Sequence, residues 1–199
     1  MTTTFYLVRH AAHDNVGGFL AGRKPGVVLG KDGLAQAERL GQRMKRESFS
    51  AVYASPRERT QQTAAAITSA CGTPSAQTSE ALDEVDFGPW SGNTFDVLNK
   101  DPAWLAWNST RSLARAAGGE TMLDVQKRVI DFMLELARSN PDSRLVLVSH
   151  ADVIKTAAGF VLGLPIDAWP RFDVGPASIT TLVLGDWGAK LLKLNEVID

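Results

Sequence analysis

Histidine and arginine recur at the ends of apolar runs in this 199-residue sequence. Phe5 to Val8 has the length of one buried strand and ends in Arg9-His10. A second run, Arg144-Leu145-Val146-Leu147-Val148, stops at Ser149-His150. A strand that delivers a cation and an imidazole at its C-terminal end places them where open α/β sheets put their ligand crevices. A third run, Ala51-Val52-Tyr53-Ala54, stops at Ser55, and Arg57 and Arg59 follow in the first turns of a helix. Backbone N–H groups, the positive helix end and an arginine together form an anion site. Glu84 stands in a loop, followed by Gly88 and Trp90. The chemistry such a set suits is the capture of an anion between cations, with imidazoles and a carboxyl group at hand.

Composition bounds the choices. Hydrophobic residues make up 44% and charged residues 22% of the chain, ordinary for a globular protein of one domain. A net charge of -1 gives no general electrostatic grip on nucleic acid or anionic membrane, so any anion site must be local. Cys71 is the single cysteine, which excludes an intrachain disulfide and fits a reducing compartment. Neither a secretory leader nor a run of membrane-spanning length is visible. The expected location is cytoplasmic, and oligomeric state is left open.

The elements that must position these residues read in order. Asp32 is expected to cap a helix over 32–46 with Leu34, Ala37, Leu40 and Met44 on its partly apolar face. Pro56 suits the first turn of the next helix, which fades near Cys71-Gly72. Residues 94–119 differ in texture, with Trp104 and Trp107 near Arg111 and Arg115, and read as a partly helical excursion. Thr121 to Asp124 looks like a capping box for a long helix ending near Ser139. Its buried face is marked by Val125, Val129, Phe132, Met133 and Leu136. A helix over 152–162 and strands near 178–184 and 190–197 close the chain. Strands alternating with helices of this length imply a mainly parallel α/β sheet covered on both faces.

Taken together, four motifs resemble the histidine phosphatase (phosphoglycerate mutase-like) superfamily, in that family's order. They are Leu7-Val8-Arg9-His10, Ser55-x-x-x-Arg59-x-x-x-Thr63-Ala64, Leu82-x-Glu84-x-x-x-Gly88-x-Trp90-x-Gly92 and Val148-Ser149-His150. The resemblance spans most of the chain except 93–120, which reads as a lid or insertion. It implies one histidine phosphatase domain over 1–199, folded as a three-layer α/β/α sandwich. It further implies His10 as the nucleophile that becomes phosphohistidine, with Arg9, Arg59 and His150 holding the phosphoryl group. Glu84 would donate a proton to the leaving group. The physical chemistry suits these roles. A phosphoryl group in flight spreads charge over three oxygens, and guanidinium forks match that geometry better than lysine. The attacking imidazole must be neutral, whereas His150 is more useful protonated. Glu84 must keep its proton near neutral pH, which an apolar wall such as Trp90 or Phe87 would favour.

The chain departs from the family at several points. Ala11 and Ala151 stand for glycines after the two histidines, Ala12 for an acidic residue, and Ser91 for the glutamate after Trp90. These changes leave the chemistry intact and bear on which substrate fits. Asn15, one residue short of the family's spacing, is the candidate phosphate-side asparagine. Gly22, Arg23, Ala151, Arg111 and Arg115 complete the expected substrate-binding set. Arg111 and Arg115, four apart, would share one helix face, either solvated or reading a second anionic group. Trp104 and Trp107 read as packing, Glu120 as helix initiation, and His13 equally as a solvated loop residue or a substrate contact.

Rival motifs fail. Gly26 to Asp32 lacks the first glycine and the final Ser or Thr of a P-loop. Ser149, His150 and Asp152 form no triad, because adjacent strand residues point to opposite faces. No Gly-x-Ser-x-Gly elbow exists. A metal cluster of His10, His13, Asp14 and His150 is disfavoured by the arginines around it. The expectation is therefore a cofactor-free, metal-independent phosphatase for a small phosphomonoester. A phosphoglycerate mutase-type transferase and a non-catalytic phospho-ligand module are the alternatives.

Overall fold

The computed structural model describes residues 1–198. The six strands are β1 (Thr2–Arg9), β2 (Ala51–Ala54), β3 (Gln77–Thr78), β4 (Arg144–Ser149), β5 (Ile179–Gly185) and β6 (Gly188–Glu196). They form one sheet in the order β3-β2-β4-β1-β5-β6. The four strands from β3 to β1 run parallel, and β5 and β6 add antiparallel at one edge. The main helices are α1 (Lys31–Met44), α2 (Glu58–Cys71), α3 (Phe95–Leu98), α4 (Pro102–Ser109), α5 (Met122–Ser139) and α6 (Ala151–Val161). Among the described residues no helix is long and apolar enough to cross a membrane.

Period-two alternation in the central strands produces the layers. Phe5, Leu7, Leu145 and Leu147 face one core with Val125, Val129, Met133 and Leu136 of α5 and Val153, Ile154 and Ala157 of α6. Tyr6, Val8, Val146 and Val148 face the other, with Ala37, Leu40 and Met44 of α1 and Ala64 and Ile67 of α2. This is the expected α/β/α sandwich on a mainly parallel sheet. The strands buried on both faces are the ones that deliver the two histidines.

Local details differ from expectation where tertiary contacts intervene. The N-cap of α1 is Gly30, without a side-chain cap; Asp32 lies in the first turn, where the helix dipole favours it. The cause is docking on the loop after His10. The Gly30 N–H donates to the Ala12 carbonyl at 3.1 Å. A Cβ on Gly33 would sit 1.7 Å from that same oxygen, so only glycine allows the approach. Helix α2 begins at Glu58, beyond Pro56, with Arg57 as N-cap. The Ser55 hydroxyl takes the Arg57 N–H at 3.3 Å, and that turn delays the helix. Its end at Gly72, left-handed at φ +64°, is as expected.

The Thr121 capping box is present, with Thr121 and Asp124 each accepting the other's backbone N–H. On α5, Phe132 is half-buried, set edge-on to Tyr53 at 5.6 Å. Between β3 and β4 in chain order, 94–119 holds α3 and α4. Trp104 and Trp107 are buried and pack on Phe87 and Trp90 with ring centroids 5.4–6.2 Å apart, so their reading as packing residues holds. This excursion therefore walls the segment that follows Glu84.

Candidate active site

Parallel pairing of β1 with β4 sets Arg9 opposite Ser149, so the chain leaves both strands at one sheet edge. His10 continues the register, its N–H donating to the Ser149 carbonyl at 3.0 Å. The turn after it is fixed by side chains, the Ala11 N–H going to Thr63 Oγ1 and the Ala12 N–H to Gln36 Oε1, each at 3.0 Å. Ala11 is fully buried and has no left-handed backbone, so its methyl is accommodated where the family carries glycine.

Arg59, 1% exposed in the first turn of α2, joins the two histidines. Its Nε donates to His10 Nε2 at 3.3 Å, and its Nη2 reaches the Gly22 carbonyl at 2.8 Å and His150 Nδ1 at 3.1 Å. The imidazole rings of His10 and His150 are 5.2 Å apart. His10 Nδ1 meets only the Ala11 carbonyl, at 2.8 Å, and so must carry the proton. Its Nε2 lone pair is left facing Arg59. Arg9 is anchored by its Nη1 on the Val174 carbonyl at 2.7 Å. Arg9 Nε and Arg59 Nη1 are buried without a partner, which is costly unless a ligand completes them.

Electrostatics separates the groups. Burial, reinforced by Arg59 and Arg9, pushes the His10 imidazolium well below its ordinary pKa, so the ring is neutral at physiological pH. His150 is depressed in the same way, by burial first and then by Arg59 and His10. The protonated His150 expected from its role is thus disfavoured here, by burial first and then by the Arg59 guanidinium, whose Nη2 donates to Nδ1. Glu84 goes the other way. Burial raises its pKa from 4.5 to about 7, the Asp152 carboxylate adds to this, and Arg59 and Arg9 oppose it. An elevated Glu84 was expected, but sequence reasoning missed Asp152 as a cause.

The Glu84 loop is held from behind. Its carbonyl accepts from Arg23 Nε at 2.8 Å and Arg128 Nη2 at 3.2 Å. Glu120 bridges the same two guanidinium groups, at 3.0 Å to Arg23 and 2.8 Å to Arg128, and accepts the Asp86 N–H. Glu120 therefore ties three segments together, while helix initiation belongs to Thr121. Arg23 is committed to this clamp and to Asp83 at 3.3 Å.

The remaining substrate-side residues are scattered. Gly22 lends its carbonyl to Arg59, and half-buried Ala151 is the first residue of α6, behind the cap His150. Asn15 is exposed, left-handed at φ +62°, with its side chain against Gly18. Arg111 and Arg115 do not share a helix face, because α4 ends at Ser109 and the chain turns. Arg115 is exposed and pairs with Asp124 at 3.2 Å. Arg111 is buried between the Trp107 and Trp169 rings, 4.0 and 3.5 Å from their centroids. Its Nη1 pairs with Asp152 at 3.0 Å. His13 stacks 6.2 Å from His10 and 5.4 Å from Phe19, which places it beside the nucleophile candidate. Among the described residues no three His, Cys, Asp or Glu side chains converge as a metal site.

Two histidines, two arginines and one elevated glutamate thus gather at one edge of the sheet. The family model for the histidine phosphatase superfamily (branch 1) matches residues 5–197. The chain belongs to the histidine phosphatase superfamily. Phosphoserine phosphatase 1 of Hydrogenobacter thermophilus is 29% identical over 195 residues, covering 95% of this chain and 90% of that protein. The probable phosphoglycerate mutase GpmB of Salmonella choleraesuis is 30% identical over 181 residues, covering 89% and 83%. The solved mycobacterial glucosyl-3-phosphoglycerate phosphatase superposes with a TM-score of 0.87 at 26% identity, covering 98% of this chain and all of that one. As a histidine phosphatase the chain is an enzyme of the phosphoric monoester hydrolase type.

Proposed function

We propose that this histidine phosphatase hydrolyses a small phosphomonoester in the cytoplasm, without a metal, through phosphohistidine on His10. The observation that carries the reading is the His10 ring itself. It is neutral, holds its proton on Nδ1 against the Ala11 carbonyl, and presents the Nε2 lone pair beside Arg59. In the first step Nε2 attacks phosphorus, the ester P–O bond breaks, and the Glu84 proton passes to the leaving oxygen. Arg9, Arg59 and His150 offset the charge on the three phosphoryl oxygens. In the second step the Glu84 carboxylate takes a proton from water, hydroxide oxygen attacks phosphorus, and the N–P bond breaks to release phosphate and neutral His10.

Hydrolysis is favoured over transfer by the 93–120 segment, which would serve as the lid. A mutase must hold a doubly anionic intermediate at both ends. Here the inward cation Arg111 is already paired with Asp152, and Arg115 faces solvent. The substrate that fits has one phosphate and a less charged body. The deciding experiment is trapping from a phosphodonor. Wild type should carry acid-labile, base-stable phosphate, and His10→Ala should carry none and turn over nothing. Phosphate of that kind on the alanine variant would remove His10 as nucleophile. Supplied with 3-phosphoglycerate and catalytic 2,3-bisphosphoglycerate, the protein should release phosphate faster than it forms 2-phosphoglycerate. The reverse order would make it a mutase.

A further inference from the structure

A fully buried polar chain behind His150 takes no part in the steps above. Arg59 Nη2 can only donate, so His150 Nδ1, 3.1 Å away, is an acceptor and the neutral ring carries its proton on Nε2. That N–H donates to Ser55 Oγ at 2.8 Å, and the Ser55 hydroxyl donates to Asp83 Oδ1 at 3.2 Å. His150, Ser55 and Asp83 are each 0% exposed. The Asp83 carboxylate is fixed by Arg57 at 2.9 Å, Arg23 at 3.3 Å and the Glu84 N–H at 2.8 Å. Strand β2 ends at Ala54, just before Ser55, β4 hands over His150, and Asp83 precedes the acid Glu84, so three separate segments meet here.

We propose that Ser55 and Asp83 are positioning residues for His150, holding its ring in the Nε2–H form and supporting its charged form when a phosphoester binds. The proposal rests on reading the pocket as a phosphoryl site. A bound monoanion gives its proton to His150 Nδ1 as Arg59 turns to the phosphoryl oxygens. The ester becomes the dianion and the ring an imidazolium, with Nδ1–H on the phosphoryl group and Nε2–H still on Ser55. Around the ring, Arg59, His10, Arg9 and Arg128 all oppose a positive charge. The acids near it are Glu84, 3.6 Å from Nδ1, and Asp83, 4.0 Å from Nε2. Glu84 keeps its proton up to about pH 7 for the leaving group, which leaves Asp83 as the standing counter-charge.

The test is imidazole nitrogen NMR on the whole 199-residue chain, whose three histidines make the spectrum readable. The free wild type should show His10 and His13 with the proton on Nδ1, and His150 alone with it on Nε2. His13 is expected so because its Nδ1 meets the Asp14 carbonyl at 2.7 Å. Ser55→Ala should turn His150 to a mixture of forms and weaken binding of inorganic phosphate about tenfold to a hundredfold, since a buried donor is orphaned. Asp83→Asn should keep the Nε2–H form, because the serine still accepts, yet weaken phosphate binding. Wild-type His150 protonated on Nδ1 would overturn the proposal, and this holds even where a variant fails to fold. So would a Ser55→Ala protein with unchanged His150 nitrogen shifts and phosphate affinity, or an Asp83→Asn protein that binds phosphate as wild type does. A protein with the expected spectrum and no phosphatase activity would sink the functional reading and leave the relay standing.

Discussion

Glu84 is held in a state that costs stability, and the cost can be read as a function of pH. Its pKa rises from 4.5 to about 7 on folding. The sign follows from linkage: between those values the folded chain keeps a proton that the unfolded chain releases. Stability therefore falls as pH climbs from 4.5 to 7, and the penalty stays constant above that. Each pH unit between the two values is worth about 1.4 kcal/mol, so the full penalty approaches about 3 kcal/mol. Some 14% of the side chain is exposed, and Arg9 and Arg59 answer part of the charge, so about 1–3 kcal/mol is the working range. Glu84→Gln removes the titration. Its melting temperature should match wild type near pH 4.5 and exceed it at pH 8 by roughly 2–10 °C for a chain of this size. Parallel thermal melts of both proteins from pH 4.5 to 8.5 give the difference directly. A gap of the same size at both ends of that range would refute the reasoning, because it would mean the change acts through packing rather than through the proton.

The same substitution should cut turnover of alkyl phosphates by about 10²–10⁴-fold while sparing aryl phosphates, whose leaving groups need no proton. Equal losses on both would place Glu84 in binding. Wild-type kcat on an alkyl ester should fall as pH rises through about 7, where Glu84 loses its proton, and an aryl ester should lack that limb. Asp152→Asn should move that limb to lower pH, since the Asp152 charge helps hold the proton on Glu84. Because it also unmasks Arg111, it should raise kcat/KM for 3-phosphoglycerate relative to glycerol 3-phosphate; an unchanged ratio would show that Arg111 does not face the substrate body. Chelators should leave activity unchanged, and activity lost in EDTA and restored by one divalent ion would reverse the metal-free reading.

The legible and illegible parts of this site differ in the range of the contacts that make them. His10 and His150 were legible because each ends a strand whose apolar run declares itself locally, and parallel strands ending at one edge bring their last residues together. Arg59 was legible because it lies in the first turn of the helix after such a strand, where anions bind. Asp83, Asp152 and Glu120 carry no comparable signal. Each is an acidic residue beside a loop or helix start, and its function depends on which cation arrives from far away. Arg23 meets Glu120 across 97 positions of sequence. Arg111 read as a helix-face cation, either solvated or reading a second anionic group. It is buried because Trp169 closes over a guanidinium already resting on Trp107, and because Asp152 supplies the counter-charge. The Ser55 hydroxyl lay inside a recognised motif, yet its role depends on the tautomer of His150, which Ser55 and Arg59 hold between them from opposite sides of the ring. Periodicity thus reports which residues reach the pocket edge. The charge state each one holds there is decided by partners that only the folded chain brings into contact.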